Sequence, residues 1–513
     1  MTHRIIILLV ALCLPTQAAT LHVSPEGSGT DGLTWETAYP TLGEAIVASS
    51  TEDEIWMASG TYTENLQVVR PITILGGFAG NENPAEREER NPEVNPTIID
   101  GNRLGPVVTV RGSTTLDGVT VQNGLANDGS GINALHSDLT LRRVKVMENG
   151  ESGNRGGGVY IDSASITIED CLFQSNLAEG YGAGILARNS DIDIVRTSFI
   201  SNISRSYGSG MYIMNSSGTI VSSQFIDNGD RLQSGGAGGI RMIDSNLKII
   251  SCPIANNVFG GIAISRSAAE IIGCVFSEND GGNAGGGFHA SDSTYTIDRC
   301  LFDRNTNIPP LNKEGEKQTG VGLSTKGGAI YSQSSKGSIV NSLFVDNQAR
   351  RGSIVSLKET DFEDVVFQNC TMDIDTDYFG TRGVAWEFGE SPKFLNCIFV
   401  SEGFPYFFTL DTADVTYSLI EKGYPGEGNI DANPRFANRE NGDYHLQRGS
   451  PCIDSGTDTG LTTDFDGNDR PVGDYDMGAF EFPFLRSDID GSGKVDAGDL
   501  LIFQEDWKKV SGL

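Results

Sequence analysis

One stretch near the C-terminus has the residue types and the spacing that could bind a divalent cation. Counted from Asp488 as position 1, oxygen-bearing side chains also fall at positions 3, 5, 9 and 12, and position 7 offers a backbone carbonyl. The six donors are Asp488, Asp490, Ser492, Lys494 through its carbonyl, Asp496 and Asp499. Calcium takes hard oxygen ligands in this arrangement, and Gly493 supplies the glycine that the tight turn requires. The spacing therefore predicts an EF-hand-type calcium loop, with Ca²⁺ as the expected cofactor.

The residues after Asp499 favour a short helix. Leu500, Leu501, Phe503 and Trp507 would form one apolar face of that helix. The alternative is an acidic, glycine-rich linker that carries the D-x-D-G-S-G sequence by chance. We expect a small loop-helix calcium module over residues 485–513.

Three aspartates in the second half of the chain form a weaker candidate site. Asp373, Asp375 and Asp377 alternate along a predicted strand, so their side chains would share one face. They could hold a cation there, but a solvated acidic face is the favoured interpretation.

Basic residues and histidines give no clear catalytic pattern. Arg142, Arg143 and Lys145 could meet an anionic glycan, although a place beside a turn is the favoured interpretation. None of the four histidines that follow the N-terminal leader lies beside an obvious pair of carboxylates. These histidines are His22, His136, His289 and His445. The sequence therefore identifies no catalytic residue and no organic cofactor site.

An internal repeat supplies the elements that must position any site. An apolar residue followed three positions later by asparagine recurs at intervals of 22 to 29 residues, with one longer interval of 42. The asparagines are Asn149, Asn176, Asn202, Asn228, Asn257, Asn279, Asn305 and Asn347. Glycine clusters that precede short apolar strands lie between these marks, as at residues 156–160 and 327–330. A repeat unit of 22 to 29 residues has no core of its own and must stack on its neighbours.

Stacked strands of this kind predict an all-β fold, a parallel β-helix solenoid. It is right-handed by the general rule for parallel crossovers. Equivalent side chains of successive coils would lie about 4.8 Å apart. A role as stacked turn residues is therefore favoured for the asparagines over a role as ligands.

The cysteines fit the same repeat. After the leader seven remain, and most stand two residues before a repeated apolar position. They are Cys171, Cys252, Cys274, Cys300, Cys370, Cys397 and Cys452. Because they share one position of the stack, we expect packed free thiols, in which cysteine acts as a small hydrophobe. Export would still permit disulfides, so their redox state stays open.

Two features are expected at the N-terminus. Arg4, the apolar run of residues 5–14 and small residues near position 18 have the pattern of a signal peptide, which is too short to span a bilayer. In residues 40–50, Leu42, Ala45 and Ile46 share a helical face and Thr41 is the candidate N-cap. We expect this helix to cap the first coil of the solenoid, with Ile55 opening the first strand.

Charge excludes one class of partner. The 513 residues carry 37 basic and 68 acidic side chains, a formal net charge of −31. Such a surface repels phosphate backbones, so no nucleic-acid partner is expected. No later stretch is apolar enough to cross a membrane, and we expect a monomeric exported rod.

The chain resembles known exported proteins in three places. The start, with the motifs Trp35 to Tyr39 and Gly76 to Gly80, resembles bacterial right-handed β-helix proteins of the pectin-lyase-like superfamily. The repeats are similar to those of polymorphic outer-membrane adhesins and autotransporter passengers. Residues 432–482 resemble the closing segment of "choice-of-anchor Q" surface proteins. The motifs of that segment include Asn433-Pro434-Arg435-Phe436, Ser450-Pro451-Cys452-Ile453-Asp454 and Met477-Gly478-Ala479-Phe480-Glu481.

The calcium loop resembles a dockerin repeat, because dockerins place aspartate at position 12 where an EF-hand has glutamate. Dockerins that bind cohesins normally carry two such repeats, and this chain has one. The stretch 464–468 does not supply a second, because Asp469 replaces the glycine and Pro471 forbids the helix. The resemblance implies calcium binding, and it leaves two alternatives for the half repeat: pairing in trans to bind a cohesin-like partner, or a role only as a calcium-stabilised tail.

These features divide the chain into five parts. They are a signal peptide at 1–18, an N-terminal cap with the first strand at 19–64, the parallel β-helix at 65–424, the closing segment at 425–484 and the dockerin-like half repeat at 485–513.

The resemblance leaves two function hypotheses open. The first is a secreted or cell-surface protein that binds extracellular polysaccharide or cell-surface glycans, or acts as an adhesin or scaffold, and is docked through its calcium tail. The alternative is a calcium-dependent, pectate-lyase-like polysaccharide lyase acting on acidic glycans. The Gly-His-Gly element of β-helix glycosidases does not occur.

Overall fold

The computed structural model describes most of the chain. The described residues are 18–151, 155–230, 238–282, 285–307, 326–349, 351–358, 365–375, 383–387, 392–402, 413–483 and 502. The predicted calcium loop lies outside them, as does the predicted signal peptide apart from its last residue. The loop and the signal peptide therefore stay predictions.

Three long parallel sheets form the body of the molecule, and the chain visits them in turn as it winds. The strands of sheet 1 are Thr20–Val23, Glu54–Ala58, Ile72–Phe78, Thr114–Asp117, Leu139–Arg142, Ser165–Glu169, Asp191–Val195, Ser217–Val221, Asn246–Ile250, Ala268–Ile272, Thr294–Asp298, Lys336–Val340, Val365–Gln368, Lys393–Leu395 and Asp414–Thr416.

The strands of sheet 2 are Gly60–Thr63, Thr97–Asp100, Thr120–Gln122, Lys145–Met147, Leu172–Gln174, Ser198–Ile200, Gln224–Ile226, Pro253–Ala255, Val275–Ser277, Leu301–Asp303, Leu343–Val345, Thr371–Asp375, Ile398–Glu402 and Leu419–Ile420. Those of sheet 3 are Leu66–Val68, Val108–Val110, Ile132–Leu135, Val159–Asp162, Ile185–Arg188, Met211–Met214, Ile240–Ile243, Ile262–Ser265, Phe288–Ser291, Ile330–Gln333, Val355–Lys358 and Val384–Glu387.

A few short elements complete the fold. Helix α1 is Leu42–Ala48, and 3-10 turns cover Pro84–Glu89 and Arg439–Asn441. Two further parallel pairs join Leu177–Ala178 to Ile203–Ser204 and Thr306–Asn307 to Gln348–Ala349, and an antiparallel pair joins Phe436–Asn438 to Asp443–Leu446. The whole is a right-handed parallel β-helix, as predicted. No helix in the described ranges is both long and apolar enough to cross a membrane.

The core is a column of apolar side chains that point inward from all three sheets. Phe173, Phe199 and Phe225 stack face to face on successive coils, with ring centroids 4.8 and 4.6 Å apart. Along a strand with alternating residues, every second side chain is buried. Ile166 and Ile168 are examples. The strand neighbours stand in register, so each apolar residue meets its equivalent in the next coil.

The asparagine repeat is confirmed as a buried ladder. Asn202 donates from Nδ2 to Asn228 Oδ1 at 3.1 Å and to the Phe173 carbonyl at 2.9 Å. In turn its Oδ1 accepts from the backbone N–H of Asn176 at 3.2 Å. Each asparagine thus satisfies the turn of the coil before it.

The cysteines are buried free thiols in the structure, as expected. Along their row the backbone N–H of one coil points to the sulfur of the next, for example Cys252 N to Cys274 Sγ at 3.4 Å. A third ladder, of serines, was not predicted. Ser190, for example, donates its N–H to Ser216 Oγ at 3.0 Å.

Helix α1 caps the first coil, as expected, and Thr41 Oγ1 accepts the N–H of Glu44. Leu42, Ala45 and Ile46 are buried in the end of the core. The prediction that Ile55 opens the first strand is wrong. The strand Thr20–Val23 comes earlier in the chain and pairs in parallel with Glu54–Ala58, so it protects the edge of sheet 1.

The closing segment, residues 425–483 in the structure, packs along the side of the rod. Its Tyr444 and Phe480 cover Leu343 on the outer face of sheet 2, and Ile453 and Met477 cover Ile398 and Val400. A buried ion pair secures it, in which Arg470 Nε donates to Glu481 Oε2 at 2.7 Å with side chains 0% and 1% exposed. Arg470 also donates from Nη1 to Asn341 Oδ1 of the rod at 2.8 Å.

Candidate functional site

The structure places only part of the predicted site residues. Asp488, Asp490, Ser492, Lys494, Asp496 and Asp499 lie outside the described residues, and so does Asp377. Within the described ranges, no group of three or more histidine, cysteine, aspartate or glutamate side chains is arranged to hold a metal ion.

The interpretation of the aspartates as a solvated acidic face is wrong for Asp373. Its strand forms as predicted, but the closing segment covers it. Arg439 Nε and the Tyr444 hydroxyl each donate to the Asp373 carboxylate at 2.7 Å. The Asp373 side chain is 8% exposed, and its carboxylate pairs with the Arg439 guanidinium.

The basic cluster lies beside a turn, as the favoured interpretation has it. Arg143 adopts a left-handed backbone conformation between sheets 1 and 2 and donates from Nε to Asp117 at 2.9 Å. Lys145 Nζ lies 2.9 Å from a Glu93 carboxylate oxygen. Because carboxylates neutralise these cations, the cluster is not a free anion site.

The expectation that no histidine lies beside a pair of carboxylates is wrong for His445. Its Nδ1 lies 2.6 Å from Asp443 Oδ1, and its Nε2 lies 2.7 Å from Asp466 Oδ2. Burial lowers the pKa of His445, but the hydrogen bonds to Asp466 and Asp443 outweigh it and raise the pKa overall. Both ring nitrogens are engaged, so the imidazole ties two parts of the closing segment together.

Two concave surfaces are lined mainly by side chains that already have partners. A cleft of about 730 Å³ between sheet 2 and the closing segment contains the Asp373–Arg439 pair. A shallow groove of about 990 Å³ follows the turns between sheets 3 and 1. In that groove Arg266 pairs with Asp244 at 2.8 Å, and Ser217 Oγ donates to Asp191 at 2.7 Å.

The outer face of sheet 3 differs from these surfaces because it carries rings and a cation that forms no ion pair with any of the described residues. Register between neighbouring strands places one outward side chain from each coil in a single column. We call this the sheet 3 column: Tyr160, Leu186, Tyr212, Arg241, Ala263, His289 and Tyr331.

Two tyrosines from the adjoining turns overhang this column. Tyr181 and Tyr207 are paired by a β-bridge, and their rings are stacked with centroids 6.0 Å apart. They are 36% and 43% exposed, whereas Tyr212 beneath Tyr181 is buried, with a ring distance of 4.7 Å. The glycine after Tyr207 has a φ of 65°, and an added Cβ there would meet the Met211 carbonyl at 2.4 Å. Gly208 therefore fixes the tight turn that presents Tyr207.

Arg241 is the charged member of the column. Its guanidinium carbon lies 5.9 Å from the centre of the Tyr207 ring, and Nη2 donates to Ser265 Oγ at 2.8 Å. Its Nε is buried without a hydrogen-bond partner. Burial lowers the pKa of Arg241, and none of the described residues forms an ion pair with it.

His289 continues the neutral part of the column. Burial, helped by the charge of Arg241, lowers the pKa of His289 to about 4, so the imidazole is uncharged at neutral pH. Its ring lies 5.1 Å from that of Tyr331. The column therefore places a single guanidinium among neutral side chains, and together with the exposed rings of Tyr181 and Tyr207 this combination suits a ligand with apolar faces and few charges.

Sequence reasoning missed this face because no motif marks it. A weak signal exists: Tyr181 and Tyr207 both precede the glycine that opens a glycine cluster, one coil apart. The absence of a counter-ion at Arg241 leaves no such trace in the sequence.

Comparison with known proteins agrees with the strand topology. The family model of the right-handed beta-helix region matches residues 89–238 and 238–416. None of the curated proteins matches this chain in sequence.

Several solved structures are similar to it at low identity. The pectate lyase Pel9A shares 15% identity over 91% of this chain and 97% of that chain, with a TM-score of 0.35. The GH136 lacto-N-biosidase from Eubacterium ramulus shares 9% over 77% of this chain and 67% of that chain, with a TM-score of 0.29. The pectin methylesterase PemA from Erwinia chrysanthemi shares 11% over 67% of this chain and 89% of that chain, with a TM-score of 0.24. Because the family model matches more than half of its residues, this chain belongs to the right-handed beta-helix family.

Proposed function

We propose that this chain is an exported or cell-surface β-helix protein that binds polysaccharide on the outer face of sheet 3. The observation that carries the proposal is the exposed pair Tyr181 and Tyr207 beside Arg241. A sugar ring has an apolar C–H face that packs on an aromatic ring, while a tyrosine hydroxyl can bond the sugar's hydroxyls.

The geometry of a β-helix supports a polymeric ligand. Successive coils repeat about every 4.8 Å, so a chain that lies along the rod meets the same kind of surface again and again. The exposed rings of Tyr181 and Tyr207 come from successive coils, whereas Tyr160, Tyr212 and Tyr331 of the sheet 3 column are buried. A polysaccharide that lies along the rod could therefore contact at least these two coils.

The tail completes the proposal. The calcium loop at Asp488 to Asp499 would dock or attach the protein, either to a cohesin-like partner or as a calcium-stabilised end. The leader pattern of residues 1–18 supports an extracellular or cell-surface location.

A glycan array, followed by calorimetry on each hit, tests the binding face. We expect the double substitution Tyr181→Ala and Tyr207→Ala to weaken binding about tenfold or more, since each lost ring contact is worth roughly 1 kcal/mol. Val275→Ala is the matched control, because Val275 is an exposed apolar residue of sheet 2. A wild-type protein that binds no glycan, or a double variant that binds as tightly as wild type, would contradict the proposal.

A further inference from the structure

Arg241 departs from the rule that the other arginines near sheet 3 follow. Arg155 pairs with Asp128 at 2.8 Å, Arg188 lies 3.9 Å from Asp162, and Arg266 pairs with Asp244. Arg241 instead has one serine hydroxyl, a tyrosine ring and a buried Nε without a partner. A half-buried guanidinium that lacks a carboxylate leaves part of its desolvation cost unrecovered.

An anion supplied from outside would satisfy this group. A carboxylate or sulfate presents two oxygens to the fork of a guanidinium and forms short, charge-assisted hydrogen bonds with it. Because Nε is buried, the donors that a ligand could reach on Arg241 are the free hydrogens of the two terminal nitrogens. The same guanidinium lies 5.9 Å from the centre of the Tyr207 ring, so an anion bound there would be held beside an exposed tyrosine.

The surroundings limit how many negative charges the ligand can carry. The other members of the sheet 3 column are uncharged at neutral pH: Tyr160, Leu186, Tyr212, Ala263, His289 and Tyr331. The whole chain carries a net charge of −31. A polyanion would bring an acidic group to every coil and would find one guanidinium in the column, in a field that repels the rest.

We propose that Arg241 binds the single acidic substituent, a carboxylate or a sulfate, of an otherwise neutral glycan. This inference rests on the proposed function of sheet 3 and narrows its ligand class. Tyr181 and Tyr207 hold the neutral sugar rings, and Arg241 fixes the position along the chain at which the acidic group lies.

Matched oligosaccharides on one array, followed by calorimetry, test the inference with the full chain. Each set contains a neutral oligosaccharide such as xylotetraose or lactose, the same chain with one uronate or sialate, and the same chain with one sulfate ester. Tetragalacturonate serves as the polyanion. We expect a singly acidic member to bind at least tenfold more tightly than its neutral parent and than tetragalacturonate. The carboxylate and sulfate members show which group Arg241 prefers.

Variants separate this inference from the proposal that underlies it. Arg241→Gln should lower affinity for the acidic member at least tenfold, and Arg241→Lys should lower it less. Arg266→Gln, on a neighbouring turn, should keep the preference for the acidic member. Equal binding of acidic and neutral members, or tighter binding of tetragalacturonate, overturns the role of Arg241 and leaves glycan binding intact. A wild-type protein that binds no member of any set overturns the proposed function and this inference together.

Discussion

Single side chains act in this rod through rows in which each one bonds to its equivalent in the next coil. Asn202 shows the pattern: it is fully buried, and its amide links the turns of three successive coils. An amide in this position supplies a donor and an acceptor along the same axis, which explains why asparagine recurs here.

Substitution of Asn202 by alanine tests the cost of breaking this row. It would leave the Phe173 carbonyl, the Asn176 N–H and the Asn228 Oδ1 without these bonds, so we expect a loss of about 2–4 kcal/mol in the free energy of unfolding. The measurement is denaturant unfolding followed by circular dichroism. Asn246→Ala, at an exposed strand position, should change stability by less than about 0.5 kcal/mol. Equal losses for the two variants would contradict a role for the ladder.

The sequence predicted the ladder residues because their roles repeat with the coil. It did not predict the environment of Asp373, whose partner Arg439 is 66 residues away in a part of the chain that does not repeat. A side chain whose neighbours come from the same position of the next coil can be read from spacing. One whose neighbours come from the closing segment cannot.

At the scale of elements, the closing segment depends on ionisable groups inside it. Asp476 accepts the N–H groups of Asp454 and Phe482, both at 2.7 Å. Burial, and then the charge of Glu481, raise the pKa of Asp476 to about 8. His445 also has a raised pKa, since hydrogen bonds to Asp466 and Asp443 outweigh the effect of burial.

We expect the closing segment to be held most firmly at acidic pH. Both groups bind a proton more tightly in the folded state than in the unfolded state, so folding stability falls as pH rises. The Asp476 contribution declines from about pH 4, its unfolded pKa, to about pH 8. The stabilisation that His445 contributes is complete below about pH 6.5, the unfolded pKa. It is lost as pH rises through the higher pKa that His445 has in the folded state.

Hydrogen exchange of residues 443–482, corrected for the intrinsic pH dependence, measures this effect. We expect protection to fall at least tenfold between pH 5 and pH 9, and His445→Gln to flatten the part above pH 6. His136→Asn is the control, because His136 is exposed and lies at the turn that ends a strand of sheet 3. Protection that rises with pH would contradict the predicted loss of stability of the closing segment at high pH.

At the scale of the whole molecule, the rod is a stack in which each coil contacts its neighbours. Leu139 and Ile166 are in register on adjacent strands of sheet 1, so residues 139–165 form one complete coil. Deletion of this coil would bring Ile166 and the strand residues after it onto Thr114–Asp117 with the same inward and outward faces.

We expect the protein that lacks residues 139–165 to fold as a shorter rod, because stability in such a stack is a sum over coils and their interfaces. Circular dichroism and solution scattering would show the same β content per residue and a shorter particle. Deletion of residues 139–151 is the control, since it stops part-way round a coil and should prevent folding. A chain that unfolds equally after either deletion would argue against an additive stack.

The predicted calcium tail would join the whole rod to another molecule. Calorimetry of the full chain should detect one calcium ion at the loop, and the double substitution Asp488→Ala and Asp499→Ala should abolish its binding. Asp469→Asn is the control, since the stretch from Asp464 lacks the glycine and the helix that a calcium loop needs. A wild-type chain that gives no heat with calcium would remove the predicted site.

The sequence by itself determined the class of fold, the asparagine and cysteine ladders and the capping helix. Periodic spacing carries this information, because a parallel stack makes neighbours of the residues at equivalent positions in successive coils. Only the tertiary structure decided that the closing segment lies along sheet 2, that His445 lies between two carboxylates and that Arg241 forms no ion pair within the described part of the chain. Those features depend on contacts between residues with no fixed spacing, or on the absence of a contact, and neither leaves a period in the sequence.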